Sequence, residues 1–268
     1  MSILEEILAT KRDEVTVLRR PETRALLRSQ ALDAPPVRDF SAALRRADGR
    51  LAVIAECKRR SPSKGELAPD LDPAATARAY AAGGAAAMSV LTDAEYFGGR
   101  IADLQAARDA VDIPILRKDF TIDEVQVYEA RAVGADAILL ILAALPDDAH
   151  LMDLHDLARS LDLGVLVEAH DRDEIARGVG LGVGILGVNA RDLATFGEDL
   201  EAAAASGAGI PAGTVAVAES AIRSVDDAAA MAAVGFDAVL VGEALVRSPD
   251  PTGLVSAMAG LTVRARGG

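Results

Sequence analysis

From Leu51 onward the chain alternates short runs rich in Val, Ile and Leu with longer, Ala-rich stretches whose apolar residues recur every three or four positions. The first kind reads as strands buried on both faces and the second as amphipathic helices, so the alternation predicts βα units around a parallel sheet. The apolar runs are eight: Leu51 to Cys57, Ala86 to Leu91, Ile113 to Lys118, Asp136 to Ile141, Gly164 to Glu168, Gly184 to Asn189, Val215 to Glu219 and Ala238 to Gly242. Eight is the number of parallel strands that closes a barrel. Helices are expected over Pro73 to Ala82, Ile122 to Val133, Asp147 to Leu161, Arg172 to Val179 and Val225 to Val234, with Asp72, Thr121, Asp171 and Ser224 as N-caps. Val-Gly-Ala-Asp before Ala137 and Val-Gly-Phe-Asp before Ala238 repeat one punctuation, in which glycine supplies the left-handed helix end.

Residues 1–50 break this rhythm. Leu4, Ile7, Leu8, Val15 and Leu18 are spaced as one amphipathic helix, and Phe40 to Ala47 as a second. The expected architecture is therefore an α/β (β/α)8 TIM barrel over residues 51–262 with an N-terminal helical extension over residues 1–50 packed on it and an exposed tail at 263–268. A doubly wound open sheet is the weaker alternative, because no glycine fingerprint follows the first strand.

In such barrels the chemistry sits at the carboxyl ends of the strands. Period-two alternation puts Ile54, Glu56 and Lys58 on one face of the first strand and Leu116, Lys118 and Phe120 on one face of the third. The fifth run ends at Glu168, the sixth at Asn189 followed by Arg191, and the seventh at Glu219 and Ser220. A lone charge at a strand end is more often a solvated rim residue than a catalyst, but five strand ends that converge on one mouth make a candidate site. The apolar ends of the second and fourth runs, with Leu140 among them, join Phe97 and Phe120 as a greasy side of that mouth. An apolar wall with convergent charges suits a substrate with an aromatic or aliphatic body and anionic groups. Arg59, Arg60 and Lys64 make the loop after the first strand basic, while Ser220-Ala221-Ile222 and Gly242-Glu243-Ala244 occupy the place where such barrels hold phosphate on backbone N–H groups.

Composition sharpens the choice of partner. With Lys+Arg 28 against Asp+Glu 41, the net charge of -13 disfavours a nucleic-acid or anionic-membrane partner and leaves an anionic ligand dependent on a local positive pocket. One cysteine, Cys57, allows no internal disulfide, and with three scattered histidines no metal site is expected. The longest apolar run, Ala137 to Leu145, is far short of the roughly 20 residues of a membrane span. No secretory h-region opens the chain, so a cytoplasmic location is expected. Lysine occurs only at Lys11, Lys58, Lys64 and Lys118, and three of these four lie in the candidate site motifs; Lys11 is the exception.

The segments Ile54 to Gly65, Ser89 to Thr92 with Tyr96 to Gly99, Pro114 to Phe120, Leu166 to Glu168, Gly187 to Leu193 and Ala218 to Ser220 resemble, in order, those of the indole-3-glycerol phosphate synthases. Ser2-Ile3-Leu4 to Lys11-Arg12 is similar to that family's opening helix, which lies over the barrel mouth. The resemblance implies a cofactor-free closure of the indole ring of 1-(2-carboxyphenylamino)-1-deoxyribulose 5-phosphate, a small anionic substrate, by a monomer or weak homo-oligomer. It implies Lys118 as general acid toward the ketone oxygen and Glu168 as its partner in the later dehydration. Lys58, paired with Glu56, would hold the substrate carboxylate, while Asn189 and Arg191 would orient the hydroxyls and the lysines. Glu219 and Ser220 would line the mouth; Phe97, Phe120, Leu140 and Leu193 would wall the ring; Ser61 and the backbone of Gly242 would meet the phosphate. Arg117, adjacent to Lys118, is expected to push the lysine's pKa down into the working range. Ala221 stands where the family usually has glycine, so its methyl is expected to crowd the phosphate or force φ below zero. His170, near Glu168, reads as a rim histidine rather than a proton shuttle. A phosphoribosylanthranilate isomerase, a sister barrel, would call for a Cys and Asp pair, against which Glu56 and Lys58 speak. A catalytically silent sugar-phosphate binder has only Ala221 in its favour.

Overall fold

The structure, a computed structural model, describes residues 2–62, 64–191, 197–207 and 209–266. Strand β1 (Ala52–Cys57) leads into a small hairpin, β2 (Arg60–Ser61) and β3 (Gly65–Glu66). The sheet continues through β4 (Ala87–Leu91), β5 (Ile115–Lys118), β6 (Ala137–Ile141), β7 (Gly164–Ala169), β8 (Ile185–Asn189), β9 (Val215–Glu219) and β10 (Ala238–Val241). The eight long strands pair in parallel and close when β10 meets β1, a (β/α)8 barrel. The helices are α1 (Ile3–Leu18), α2 (Pro21–Asp33), α3 (Phe40–Leu44), α4 (Pro73–Ala82), α5 (Ile101–Ala110), α6 (Glu124–Ala132), α7 (Asp148–Ser160), α8 (Arg172–Gly180), α9 (Leu200–Gly207), α10 (Val225–Val234), α11 (Glu243–Arg247) and α12 (Pro251–Ala259).

Each strand run of the sequence reading becomes a barrel strand, with ends that differ by at most two residues. Asp72, Asp171 and Ser224 cap α4, α8 and α10 as expected, but α6 is capped by Asp123, whose side chain accepts from the Val125 N–H, and Thr121 lies before it, buried. Helices α2, α5, α9, α11 and α12 were not legible. Of α2 only Ala31 is buried, so no apolar stripe announces it, and α5 and α9 bury mostly small or mixed residues.

Alternate residues of the strands fill the barrel in layers. At the amino-terminal end Ala52, Ala87, Ala137 and Ala238 leave room for Phe40 and Leu44 of α3, which plug that end from below. Above them lie Ile54, Leu116, Leu139, Leu166, Val217 and Leu240. The next inward positions are Glu56, Ser89, Lys118, Glu168, Asn189 and Glu219, all at the carboxyl end. The opposite faces of the strands, including Cys57 and Leu140, pack beneath the helices. Residues 1–50 do not sit in one place: α1 lies at the mouth, α2 runs along α6, and α3 closes the far end.

Candidate active site

Five strands deliver the mouth's polar groups, and their parity follows from the pleat. Lys118 ends β5 with its ammonium 2.9 Å from Glu168 Oε2 on β7 and 3.6 Å from Glu219 Oε2 on β9. Lys58, just past β1, lies 2.8 Å from Glu56 Oε1. Asn189 Nδ2 donates to Glu168 Oε1 at 3.0 Å, and Asn189 Oδ1 accepts from the Arg191 N–H at 3.0 Å. Glu168 thus sits between Lys118 and Asn189 with its carboxylate fully engaged.

Two glycines make this crowding possible. A Cβ at Gly187 on β8 would run into Glu219 Oε1, and one at Gly242 would fall 2.5 Å from Glu56 Oε1. A side chain at either position would push a neighbouring carboxylate out of its inward setting. Gly242 also begins α11 with its backbone open toward the mouth.

The apolar wall is built from Leu91, Phe97, Phe120, Leu139 and Ile141, joined by Ile3, Leu4 and Ile7 of α1. The Phe97 and Phe120 rings meet at 6.2 Å between centroids. Leu140 is not part of this wall: it points outward into the core beneath the helices, and its neighbours Leu139 and Ile141 face the mouth instead. Ser61 is likewise turned away, buried, its hydroxyl accepting from the Lys64 N–H at 3.2 Å. Leu193 lies outside the described residues. The opening helix lies at the mouth as the resemblance implies, whereas Glu198 and Arg223 at the rim carried no strand-end signal.

Electrostatics depart from the sequence reading in three ways. Arg117 does not face Lys118, because consecutive strand residues point to opposite sides. It is buried behind the barrel, where its guanidinium meets Glu129 Oε2 at 2.7 Å and Asp119 Oδ2 at 3.4 Å. Burial would lower the Lys118 pKa, but Glu168, Glu219 and Glu56 outweigh it and hold the ammonium above its ordinary value. Second, the mouth is not rich in net positive charge: Lys58, Lys118, Arg191 and Arg223 line it against six carboxyls, Glu56, Asp119, Glu168, Glu198, Glu219 and Glu243. Arg59 is turned to Asp103 and the Leu71 carbonyl, and Arg60 to the carbonyls of Ala94 and Glu95. Third, the carboxyls divide. Burial raises Glu219 well above the usual range, and the charge on Glu168 adds to it; Glu168, equally buried, is pulled well below by Lys118 and His170. Glu56 is also held low, Lys58 and Lys118 overcoming its burial.

His170 is more than a rim residue. Its Nε2 lies 3.2 Å from Glu168 Oε1 and its Nδ1 3.2 Å from Glu174 Oε2. Burial opposes its charge, yet the two glutamates raise its pKa to about 10, so it stands beside Glu168 as an imidazolium. Ala221 adopts φ 58 after Ser220 at φ 64, so the methyl is carried in the left-handed region rather than forcing φ below zero. Cys57 faces the helical shell with its thiol pushed up to about 12 by burial, an inert core residue. Among the described residues no group of three or more His, Cys, Asp or Glu is placed to hold a metal ion, and no helix is long and apolar enough to cross a membrane.

A closed barrel with lysine–carboxylate pairs at the carboxyl ends of its strands, beside an aromatic wall, defines a (β/α)8-barrel protein of the acid–base type. Within that class the chain belongs to the indole-3-glycerol phosphate synthase family, whose family model matches residues 4–258. It is 51% identical over 269 residues to the indole-3-glycerol phosphate synthase of Micrococcus luteus, with 98% of this chain and 100% of that protein covered. To the protein of the same name from Laribacter hongkongensis it is 50% identical over 252 residues, covering 93% and 95%. Among solved structures it is similar in fold to a thiamine phosphate pyrophosphorylase from Pyrococcus furiosus, with TM-score 0.58, 19% identity, and 80% of this chain and 96% of that one covered.

Proposed function

We propose that the protein converts 1-(2-carboxyphenylamino)-1-deoxyribulose 5-phosphate to indole-3-glycerol phosphate, carbon dioxide and water, as a cytoplasmic, cofactor-free carboxy-lyase of tryptophan biosynthesis. Lys118 gives its proton to the ketone oxygen as the carboxylated ring carbon bonds to the carbonyl carbon. The bond from that ring carbon to the carboxylate then breaks, releasing carbon dioxide and restoring the aromatic ring. The new hydroxyl leaves as water with a proton from a lysine ammonium, while Glu168 accepts the proton lost from the adjacent methylene carbon. Lys58 holds the substrate carboxylate before it leaves, Asn189 and Arg191 orient hydroxyls, and Phe97 and Phe120 stack the ring. The phosphate is received by backbone N–H groups near Gly242 and Ser220, since Glu243 is turned toward Arg247 at 3.2 Å. Residues 1–50 contribute a cover through α1.

The observation that carries this reading is the Lys118 to Glu168 pair, 2.9 Å apart at the foot of an aromatic wall. A fully developed alkoxide is a stronger base than a lysine amine, so an ammonium held charged by Glu168 still gives its proton downhill to that oxygen. The chain has no Trp, so appearance of indole fluorescence on adding the substrate is read against a dark protein. Turnover by the purified chain is expected. A chain that bound a substrate analogue but formed no indole product would be a silent binder and would overturn the reading.

A further inference from the structure

Of the two lysines that the candidate chemistry does not use, Lys64 is exposed and Lys11 is almost wholly buried. Its ammonium lies 2.8 Å from Asp93 Oδ2, 3.0 Å from Asp119 Oδ1 and 2.9 Å from Glu14 Oε2. The two aspartates come from different loops, after β4 and after β5, and each organises the aromatic residue that follows it. Asp93 Oδ1 accepts from the Tyr96 N–H at 2.7 Å and the Phe97 N–H at 3.1 Å. Asp119 Oδ1 accepts from the Phe120 N–H at 2.8 Å, while its Oδ2 is held by Thr92 and Arg117. One residue earlier, Thr10 Oγ1 meets Tyr96 Oη at 2.9 Å, so α1 touches the same turn twice. Ile3, Leu4 and Ile7 of this helix line the mouth.

We propose that Lys11 is a positioning residue: by neutralising Asp93 and Asp119 together it fixes α1 to both loops and sets Phe97 and Phe120 as one wall for the ring-bearing part of the substrate. Two buried carboxylates so close repel each other unless a cation lies between them, and the other cation at this point, Arg117, reaches only Asp119. Burial would lower the Lys11 pKa, but Asp119 and Asp93 outweigh it, so the tie stays charged at neutral pH. The seating of the cover and the placing of the wall thereby become one event.

The kinetic arm of the test rests on the indole-forming reading, and a second arm does not. Lys11→Met keeps the length of the side chain and removes its charge. KM is expected to rise about tenfold or more while kcat falls less than about threefold, the split that marks lost uniform binding. A KM within about twofold of the parent protein overturns the proposal. If this variant does not fold, Lys11→Met with Asp93→Asn removes one charge of each sign and keeps an Oδ1 to cap the turn; the same two outcomes then decide. Amide hydrogen exchange needs no substrate: loss of the tie should speed exchange jointly in residues 2–18 and 93–99 and leave β7 unchanged. Equal acceleration in β7 would show a merely structural role. If the parent protein made no indole product, the proposed function would fall and this exchange pattern would still decide for or against the tie.

Discussion

The same eight strands build two ends of one barrel with opposite physics. At the amino-terminal end the inward residues are small or aliphatic, Ala52, Ala87, Ala137 and Ala238, and Phe40 fills what they leave. Two inward positions further up come Glu56, Glu168 and Glu219, all buried, and the half-buried Lys118, each beside another ionisable group. The lower end is held by burial of apolar surface, which stabilises without specifying direction. The upper end takes charges out of water, which weakens the fold unless every charge is partnered. Stability and chemistry are therefore divided along the strand axis, and substitutions at the two ends should separate them.

The largest effect is expected at the upper end. Lys118→Arg keeps the charge but replaces a compact ammonium with a wider planar fork that no longer places its proton at the ketone oxygen, so kcat should drop by ~10²- to 10⁴-fold with little change in melting temperature. Near-normal turnover would remove Lys118 from its role. At the lower end Phe40→Ala should cost about 3–5 kcal/mol of stability, while the folded fraction keeps its kcat/KM. A loss of activity per folded molecule would erase the division between the ends. Gly187→Ala tests the upper crowding: the new Cβ would run into the Glu219 carboxyl and meet Leu166 at 3.3 Å. A loss of about 1–3 kcal/mol is expected together with reduced turnover, and an unperturbed variant would show that Glu219 is free to move.

The smallest effect concerns pH. His170 titrates at about 10 in the folded chain against an ordinary 6.5, because Glu168 and Glu174 overcome its burial. A raised pKa means that its contribution is fully present below pH 6.5 and is lost as the pH climbs through 10. The stability gap between the parent protein and His170→Gln should accordingly close over that interval in urea titrations. A gap that stayed constant with pH would mean that His170 is neutral beside Glu168.

Strand positions were legible because a parallel strand under helices is apolar on both faces and reads as an unbroken run. That same property hid which face of β6 looks inward. In Ala137-Ile138-Leu139-Leu140-Ile141 every residue is apolar, so Leu140 was a reasonable wall residue until the register Leu139 to Leu166 and Ile141 to Glu168 placed its neighbours inside. Where a strand ended in a charge, as at Glu56, Lys118, Glu168 and Glu219, parity could be read, since a charge at that position belongs at the open end. Arg117 shows the limit of neighbourhood in sequence: adjacent to Lys118 along the chain, it is separated from it by the sheet.

By itself the sequence determined the number of barrel strands, the barrel they close, and the glutamates and lysines at its mouth, because apolarity and periodicity are local properties of a chain. Only the tertiary structure decided what those groups are to one another. Glu168 is held below the usual carboxylate range and Glu219 above it because one lies nearer Lys118 and His170, and Lys11 joins the site because two loops far apart in sequence bring Asp93 and Asp119 to it. Charge states depend on distances across the barrel, and no pattern along one strand encodes them.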